Sequence, residues 1–157
     1  MTVEIINPAN GQVTYRHELM DTGEVEQRLK AAAAAFPAWA ALPLQQRGDL
    51  LRQVATALRA HASELQQAMT REMGKLKGEA LAEVDKCAQA CEFYAGKAAD
   101  YLAPEMIQTE AQRSYVRFEP IGCVFAVMPW NFPVWQVFRF LAPAFMAGNV
   151  ALLKHAS

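Results

Sequence analysis

Cysteine is scarce in this chain: the three residues Cys87, Cys91 and Cys123 cannot all pair within one molecule, so no disulfide framework is expected. Cys87 and Cys91 stand four residues apart in a helical pattern and would supply half a metal site, but no second Cys/His pair at ligand spacing accompanies them. Ordinary buried thiols and no metal are therefore expected. Histidine is equally rare, and His17 and His61 have no partner at catalytic spacing, which reads as two surface residues. A basic start followed by an apolar run is missing too, because residues 1–13 carry Glu4 and Asn7-Pro8, so no export signal is expected. The longest apolar stretch, residues 121–135, is broken by Gly122, Pro129, Asn131 and Pro133 and is too short for a membrane helix. No membrane partner and a cytoplasmic location are expected. Nor is there an excess of one charge: the formal net charge is -1 and Lys and Arg are evenly scattered, with no basic stripe for nucleic acid. Repeats and low-complexity segments are lacking apart from the alanines at 31–35, most simply read as helix propensity and close packing.

What remains is a chain of 157 residues, 53% hydrophobic and 20% charged, able to bury a core. Val3 to Ile6 and Gln12 to Tyr15 bracket Asn7-Pro8-Ala9-Asn10-Gly11, and the Asn-Gly pair signals a tight turn in a small hairpin. Asp21 followed by Glu24 resembles a capping box, ahead of Val25, Leu29, Ala32, Ala33 and Phe36 at helical spacing. This helix is expected to kink or end near Pro37. A second helix begins at Leu44 with Leu50, Leu51, Val54, Ala55 and Leu58 on its apolar side, and a third carries Leu65, Ala68 and Met69 and stops at Gly74. A long fourth helix is predicted over residues 79–102, with Leu81, Val84, Ala88, Cys91, Ala95 and Ala98 facing inward until Pro104.

Beyond Pro104 the pattern changes. Residues 112–119 alternate as an exposed strand would, and residues 122–128 form a continuous apolar run that predicts a strand covered on both faces, Cys123 included. A turn at 129–131, a helix over 134–147 despite Pro143, and a second buried strand at 150–153 complete a strand–helix–strand unit, the opening of a doubly wound parallel sheet. The fold class is thus α/β: a helical segment at 1–119 leading into an incomplete Rossmann-like unit at 120–157.

In such a sheet the ligand crevice lies at the carboxyl ends of the strands. Those places hold Pro129-Trp130-Asn131-Phe132-Pro133 and Lys154-His155-Ala156-Ser157. From residue type alone, Asn131 suits a turn between two prolines as well as a hydrogen-bond donor, and Lys154 suits a solvated strand end. Trp39, Trp135 and the methionines at helical spacing read as core.

The pentapeptide at 129–133, followed by Ala147-Gly148-Asn149 and Leu153-Lys154, resembles the opening of the cofactor domain of the aldehyde dehydrogenase family. Asn7-Pro8-Ala9-Asn10-Gly11 and Glu72-Met73-Gly74-Lys75 sit where that family has related motifs, so the resemblance covers the whole chain. It implies that the Asn131 amide donates to the oxyanion formed when a thiolate attacks an aldehyde, the thiohemiacetal then losing hydride to NAD or NADP. It implies that Met128, Pro129, Trp130, Asn131, Lys154, Ala156 and Ser157 form part of the cofactor site, with Lys154 serving the adenine ribose hydroxyls. Where NAD-preferring members resemble one another in having Glu, Ser157 is uncharged. A carboxylate there would repel a 2′-phosphate by roughly 4 kcal/mol at about 4 Å, so NADP is tolerated and both cofactors stay open. His155 departs from the proline often found after this lysine. Arg139 matches an arginine that in succinate-semialdehyde oxidising members is suited to the substrate's distal carboxylate, although a surface arginine or a salt bridge fits the residue type as well. Trp135-Gln136-Val137 and Lys154-His155-Ala156 resemble one bacterial branch of that kind. Residues 112–119 resemble the family's intersubunit hairpin, so a dimer or tetramer is expected of the complete enzyme. The family's nucleophilic cysteine, glutamate base and pyrophosphate-binding helix lie C-terminal to anything present here, and Cys123 does not match the nucleophile's motif. The alternatives are a piece of a longer enzyme and a truncated product, without catalysis, that binds a partner through its exposed strand edge.

Overall fold

Asn7 and Asn10 shape the first turn. In the computed structural model, which describes residues 2–156, β1 (Thr2–Ile6) and β2 (Val13–Glu18) pair antiparallel. The connection is wider than the expected tight Asn-Gly turn. Asn7 Oδ1 accepts from the Ala9 N–H at 2.9 Å, Asn10 Oδ1 accepts from Gln12 N–H at 3.0 Å, and Gly11, at φ 72°, donates back to Asn7 O at 2.8 Å. Side chains that mimic backbone turns here outcompete a two-residue hairpin.

The capping box forms in full: Asp21 Oδ1 accepts from Glu24 N–H at 2.8 Å and Glu24 Oε2 accepts from Asp21 N–H at 2.9 Å, starting α1 (Thr22–Ala41). Pro37 neither ends this helix nor prevents its last turn, which is anchored by Trp39: its Nε1 donates to Phe145 O at 3.2 Å and its ring meets that of Phe145 edge-on. No residue of α1 is fully buried.

Three helices follow, α2 (Leu44–Ala60), α3 (Ala62–Met73) and α4 (Lys77–Tyr101). Gly74 closes α3 in the left-handed conformation, φ 73°, as its position predicted. The core joins Leu51, Ala55 and Leu58 of α2 and Met69 of α3 to a stripe on α4 made of Ala80, Val84, Cys87, Ala88, Cys91 and Ala98. Leu50, Val54 and Leu81, expected to face inward, are instead exposed. Small residues explain the change of face. A Cβ on Gly48 would stand 3.2 Å from Ala95 O, so α2 and α4 approach along their glycine and alanine positions and the bulkier leucines turn outward.

The expected strand at 112–119 is shorter than its alternation suggested. Only β4 (Ser114–Val116) pairs, antiparallel with β3 (Glu105–Ile107), a strand the sequence pattern did not reveal. β5 (Cys123–Val127) and β6 (Val150–Lys154) lie parallel, connected by α5 (Trp135–Met146), which runs through Pro143. Asn149 is buried, and its Oδ1 accepts from Ile121 N–H at 2.7 Å and Gly122 N–H at 3.2 Å, tying the starts of the two strands together. β5 is covered on one face only: Ala126 is buried, whereas Cys123, Phe125 and Val127 are exposed. Period-two alternation puts those three on one side, and the described residues place no layer over it. The run of helices ends at Tyr101, with β3 and β4 already ahead of residue 119, and Ala142 and Met146 of α5 join the helical core.

Candidate cofactor and active site

Because β5 and β6 are parallel and in register, Val127 opposite Lys154, the segments that follow them leave the sheet at the same edge. The Met128 N–H extends the ladder by donating to Lys154 O at 3.0 Å. At this edge a cleft of about 680 Å³ opens, with Met128, Pro129, Trp130, His155 and Ala156 forming one wall. Tyr15 and His17 of β2 and Met69 and Met73 of α3 contribute to the other. His17, expected at the surface, thus faces the cleft with its ring 5.9 Å from that of His155. His61 is exposed and pairs with Glu64 at 3.0 Å.

Of the residues singled out for a cofactor, Met128, Pro129, Trp130 and Ala156 line the cleft. Asn131 is exposed on the turn beside it, and Lys154 is exposed at the end of β6, where its Nζ donates to His155 O at 3.0 Å. Ser157 lies outside the described residues. Arg139 is exposed on α5 and makes no ion pair among the described residues. It lies two residues beyond the cleft-lining Val137, about 200° around the helix, so it faces a different side of α5.

A second arrangement, not foreseen, holds the turn from below. Glu83 is buried on α4, and its Oε1 accepts from the N–H groups of Val134 and Trp135 at 2.9 and 2.8 Å. These are orphan donors at the start of α5, where a carboxylate also meets the positive end of the helix dipole. Its other oxygen, Oε2, pairs with the Nζ of Lys75, which is likewise buried and lies 4.0 Å from the centroid of the Phe132 ring. Three donors on one carboxylate and an aromatic face over the ammonium meet the condition for a buried ion pair, that the remaining hydrogen-bonding capacity be filled. The sequence did hold a signal for Glu83: at 80, 83, 84, 87, 88 and 91 it is the one charge on the inward stripe of α4.

Cys87 and Cys91 are fully buried; burial, with the nearby charge of Glu83, pushes the Cys87 thiol up to about 12, and burial pushes Cys91 to about 11. Such thiols are poor nucleophiles. No cluster of metal-ligating side chains occurs among the described residues, and no described helix is long and apolar enough to cross a membrane.

Comparison with known proteins gives a consistent answer. The chain is 50% identical over 157 residues to a probable succinate-semialdehyde dehydrogenase [NADP(+)] of Synechocystis sp., covering 100% of this chain and 35% of the relative. It is 41% identical over 151 residues to a succinate semialdehyde dehydrogenase [NAD(P)+] of Escherichia coli, covering 96% of this chain and 33% of the relative. The crystal structure of succinic semialdehyde dehydrogenase from Streptococcus pyogenes in complex with NADP+ superimposes with a TM-score of 0.92 at 35% identity, over 98% of this chain and 34% of that one. The chain thus spans about a third of the length of the curated relatives it matches. Its helical segment and parallel β-α-β unit correspond to an incomplete aldehyde dehydrogenase fold. Residues 1–157 match the profile of the aldehyde dehydrogenase family from end to end, and the chain belongs to that family.

Proposed function

We propose that this chain forms the cofactor-side turn and the oxyanion donor of an NAD(P)-dependent aldehyde dehydrogenase that oxidises succinate semialdehyde to succinate. The observation that carries the proposal is that the turn bearing Asn131 and the segment after Lys154 leave the sheet at one edge, beside a cleft of about 680 Å³. The donor chemistry there fits a nicotinamide dinucleotide: Lys154 would serve ribose hydroxyls, and Met128, Pro129, Trp130, Ala156 and Ser157 would pack along the cofactor. When bound, the cofactor supplies the hydride acceptor. Asn131 donates its amide N–H to the oxygen that gains charge when a thiolate adds to the aldehyde. Arg139, exposed and without an ion-pair partner among the described residues, binds the substrate's distal carboxylate through its planar fork.

The nucleophilic cysteine and the glutamate base would come from the part of the relatives' length that this chain does not cover, and the chain divides into a helical and hairpin part at 1–119 and the start of the cofactor domain at 120–157. The exposed β3–β4 ribbon would reach a neighbouring subunit in a dimer or tetramer. A monomer by light scattering of the complete gene product would remove that part.

The central test follows absorbance of the reduced cofactor with the complete gene product. Asn131→Ala is expected to lower kcat by about 100- to 1000-fold. Arg139→Ala is expected to raise KM for succinate semialdehyde while leaving a neutral aldehyde of similar length unaffected. No turnover of any aldehyde by the wild-type protein would overturn the proposal.

A further inference from the structure

We infer that Glu83, held by Lys75, is a positioning residue for Asn131: a clamp from the helical segment that fixes the geometry of the oxyanion donor. The inference rests on Asn131 having that role. The turn at 129–133 is secured at its strand side by the Met128 N–H donating to Lys154 O at 3.0 Å. On its helix side the side chain at position 134 makes no capping hydrogen bond; the Phe132 carbonyl accepts from the Gln136 N–H at 3.0 Å, and the N–H groups of Val134 and Trp135 take no acceptor from the turn. The acceptor comes instead from 51 residues earlier, where Glu83 Oε1 takes the N–H of Val134 at 2.9 Å and that of Trp135 at 2.8 Å. Phe132, next to Asn131, is gripped separately, its ring centroid 4.0 Å from Lys75 Nζ. Trp135 is gripped in the same way by Lys86, 4.2 Å from its ring centroid.

Lys75 is itself fixed by local structure. It follows Gly74, whose φ of 73° turns the chain out of α3, and its carbonyl accepts from Thr70 Oγ1 at 2.9 Å. Lys75, which ends the Glu72-Met73-Gly74-Lys75 motif, and Val134 and Trp135, which directly follow the Pro129-Trp130-Asn131-Phe132-Pro133 motif, therefore meet at one carboxylate. The ion pair is withdrawn from water, since Lys75 and Glu83 are buried, and the two amide bonds are part-buried. Without Glu83 the Val134 and Trp135 N–H groups lose their acceptor, and Asn131, exposed and three residues before Val134, has freedom to move. A displacement of an ångström at a reacting group costs on the order of 100-fold in rate.

The test is a double-mutant cycle in the complete gene product. Glu83→Ala is expected to lower kcat about 100-fold with little change in KM for the cofactor. Because Glu83 acts through Asn131, the pair Glu83→Ala/Asn131→Ala is expected to be no slower than Asn131→Ala alone. Equal, multiplying losses would overturn the inference, since they would mean a general structural role. The rescue variant is Glu83→Gln with Lys75→Met, which retains a carbonyl acceptor for the Val134 and Trp135 amides and removes the unpaired charge. It is expected to recover most of kcat, and failure to do so in a folded protein counts against the clamp. Should Glu83→Ala not fold, the same cycle is run with Glu83→Gln/Lys75→Met against Glu83→Leu/Lys75→Met, where only the acceptor differs. Amide hydrogen exchange supplies a readout independent of turnover: Val134 and Trp135 are expected to lose protection in the variants without an acceptor. If the wild type oxidises no aldehyde, the functional proposal fails, while unchanged protection at Val134 and Trp135 overturns the clamp itself.

Discussion

Helix α4 and strand β5 carry comparable apolar stretches, and they end up in opposite surroundings. On α4 the small residues Ala80, Cys87, Ala88 and Cys91 are completely buried against α2 and α5, whereas on β5 Phe125 is 66% and Val127 60% exposed. Both elements obey their periodicity; what differs is whether a partner layer exists within these residues. The helical block is closed by its own sequence, since α2, α3 and α5 each present a complementary stripe. The parallel pair β5–β6 is a two-stranded sheet with one side open, as the start of a sheet must be when its hydrogen-bonding and packing partners come from elsewhere.

The sharpest way to probe this contrast is through the three cysteines. Cys87 and Cys91 belong to the closed block and Cys123 to the open strand face. Raising a thiol from 9.0 to about 12 lowers its thiolate population at neutral pH by about 1000-fold, before restricted access is counted. A disulfide reagent added to the native protein is therefore expected to label one thiol quickly, Cys91 at least about 100-fold more slowly and Cys87 at least about 1000-fold more slowly. Three equal rates would mean that the block is open. The same shifts carry a pH signature. Both thiols are raised in the folded state, so their contribution to stability is complete below pH 9 and is lost as pH rises from 9 to about 11 to 12, the range in which the unfolded chain ionises and the folded one does not. Urea midpoints are expected to fall over that window and to be flat in this term below it.

Truncation of core and strand residues gives the next largest contrast. Met146 is essentially inaccessible and belongs to the main cluster, so Met146→Ala is expected to cost about 2–5 kcal/mol, the usual range for a large side chain removed from a core. Phe125→Ala removes a bigger side chain from the open face and is expected to change stability by about 0.5 kcal/mol or less. Urea denaturation of the 157-residue chain measures both. A cost for Phe125 approaching that for Met146 would show that the open face is covered in solution, by self-association if the cost grows with concentration.

How much of this was legible follows the same division. Local signals were sufficient where the chain needs only its neighbours: the Asp21/Glu24 box, the stop at Gly74 and the placing of Met128 and Ala156 at one sheet edge all came from short-range pattern. The side of α4 that faces inward did not, because Leu81 is the more hydrophobic residue while close helix approach selects Ala80, and Glu83 is held inward by Lys75 and by the amides of Val134 and Trp135. Glu83 itself is recognisable as a charge on an apolar stripe, but its partners at 75, 134 and 135 are set by tertiary packing. β3 was invisible because a three-residue exposed strand has no periodicity to detect, and the cover on β5 was overestimated because an unbroken apolar run does not say which layer lies within reach. The roles proposed for Asn131 and Arg139 are in the same class, since residue type and spacing do not say what an exposed side chain would touch.

The smallest effect expected is at α1, and it tests whether a helix outside the closed block depends on its cap rather than its packing. None of its residues is fully buried, and Val25 and Leu29 are 44% and 51% exposed, so packing does little to hold its first turns. Asp21→Ala removes the acceptor for the Glu24 N–H and leaves in place the reciprocal bond from the backbone N–H of residue 21 to Glu24 Oε2. The loss is worth about 1 kcal/mol at the helix terminus. In the closed block such a loss would be absorbed into the global transition. In α1 it is expected as local fraying: amide exchange over residues 22–28 should quicken by about fivefold while the urea midpoint for Met146 and its neighbours stays where it was. If the midpoint moves with the fraying, α1 and the core unfold as one unit, and the boundary between the closed and open regions lies at the sheet alone.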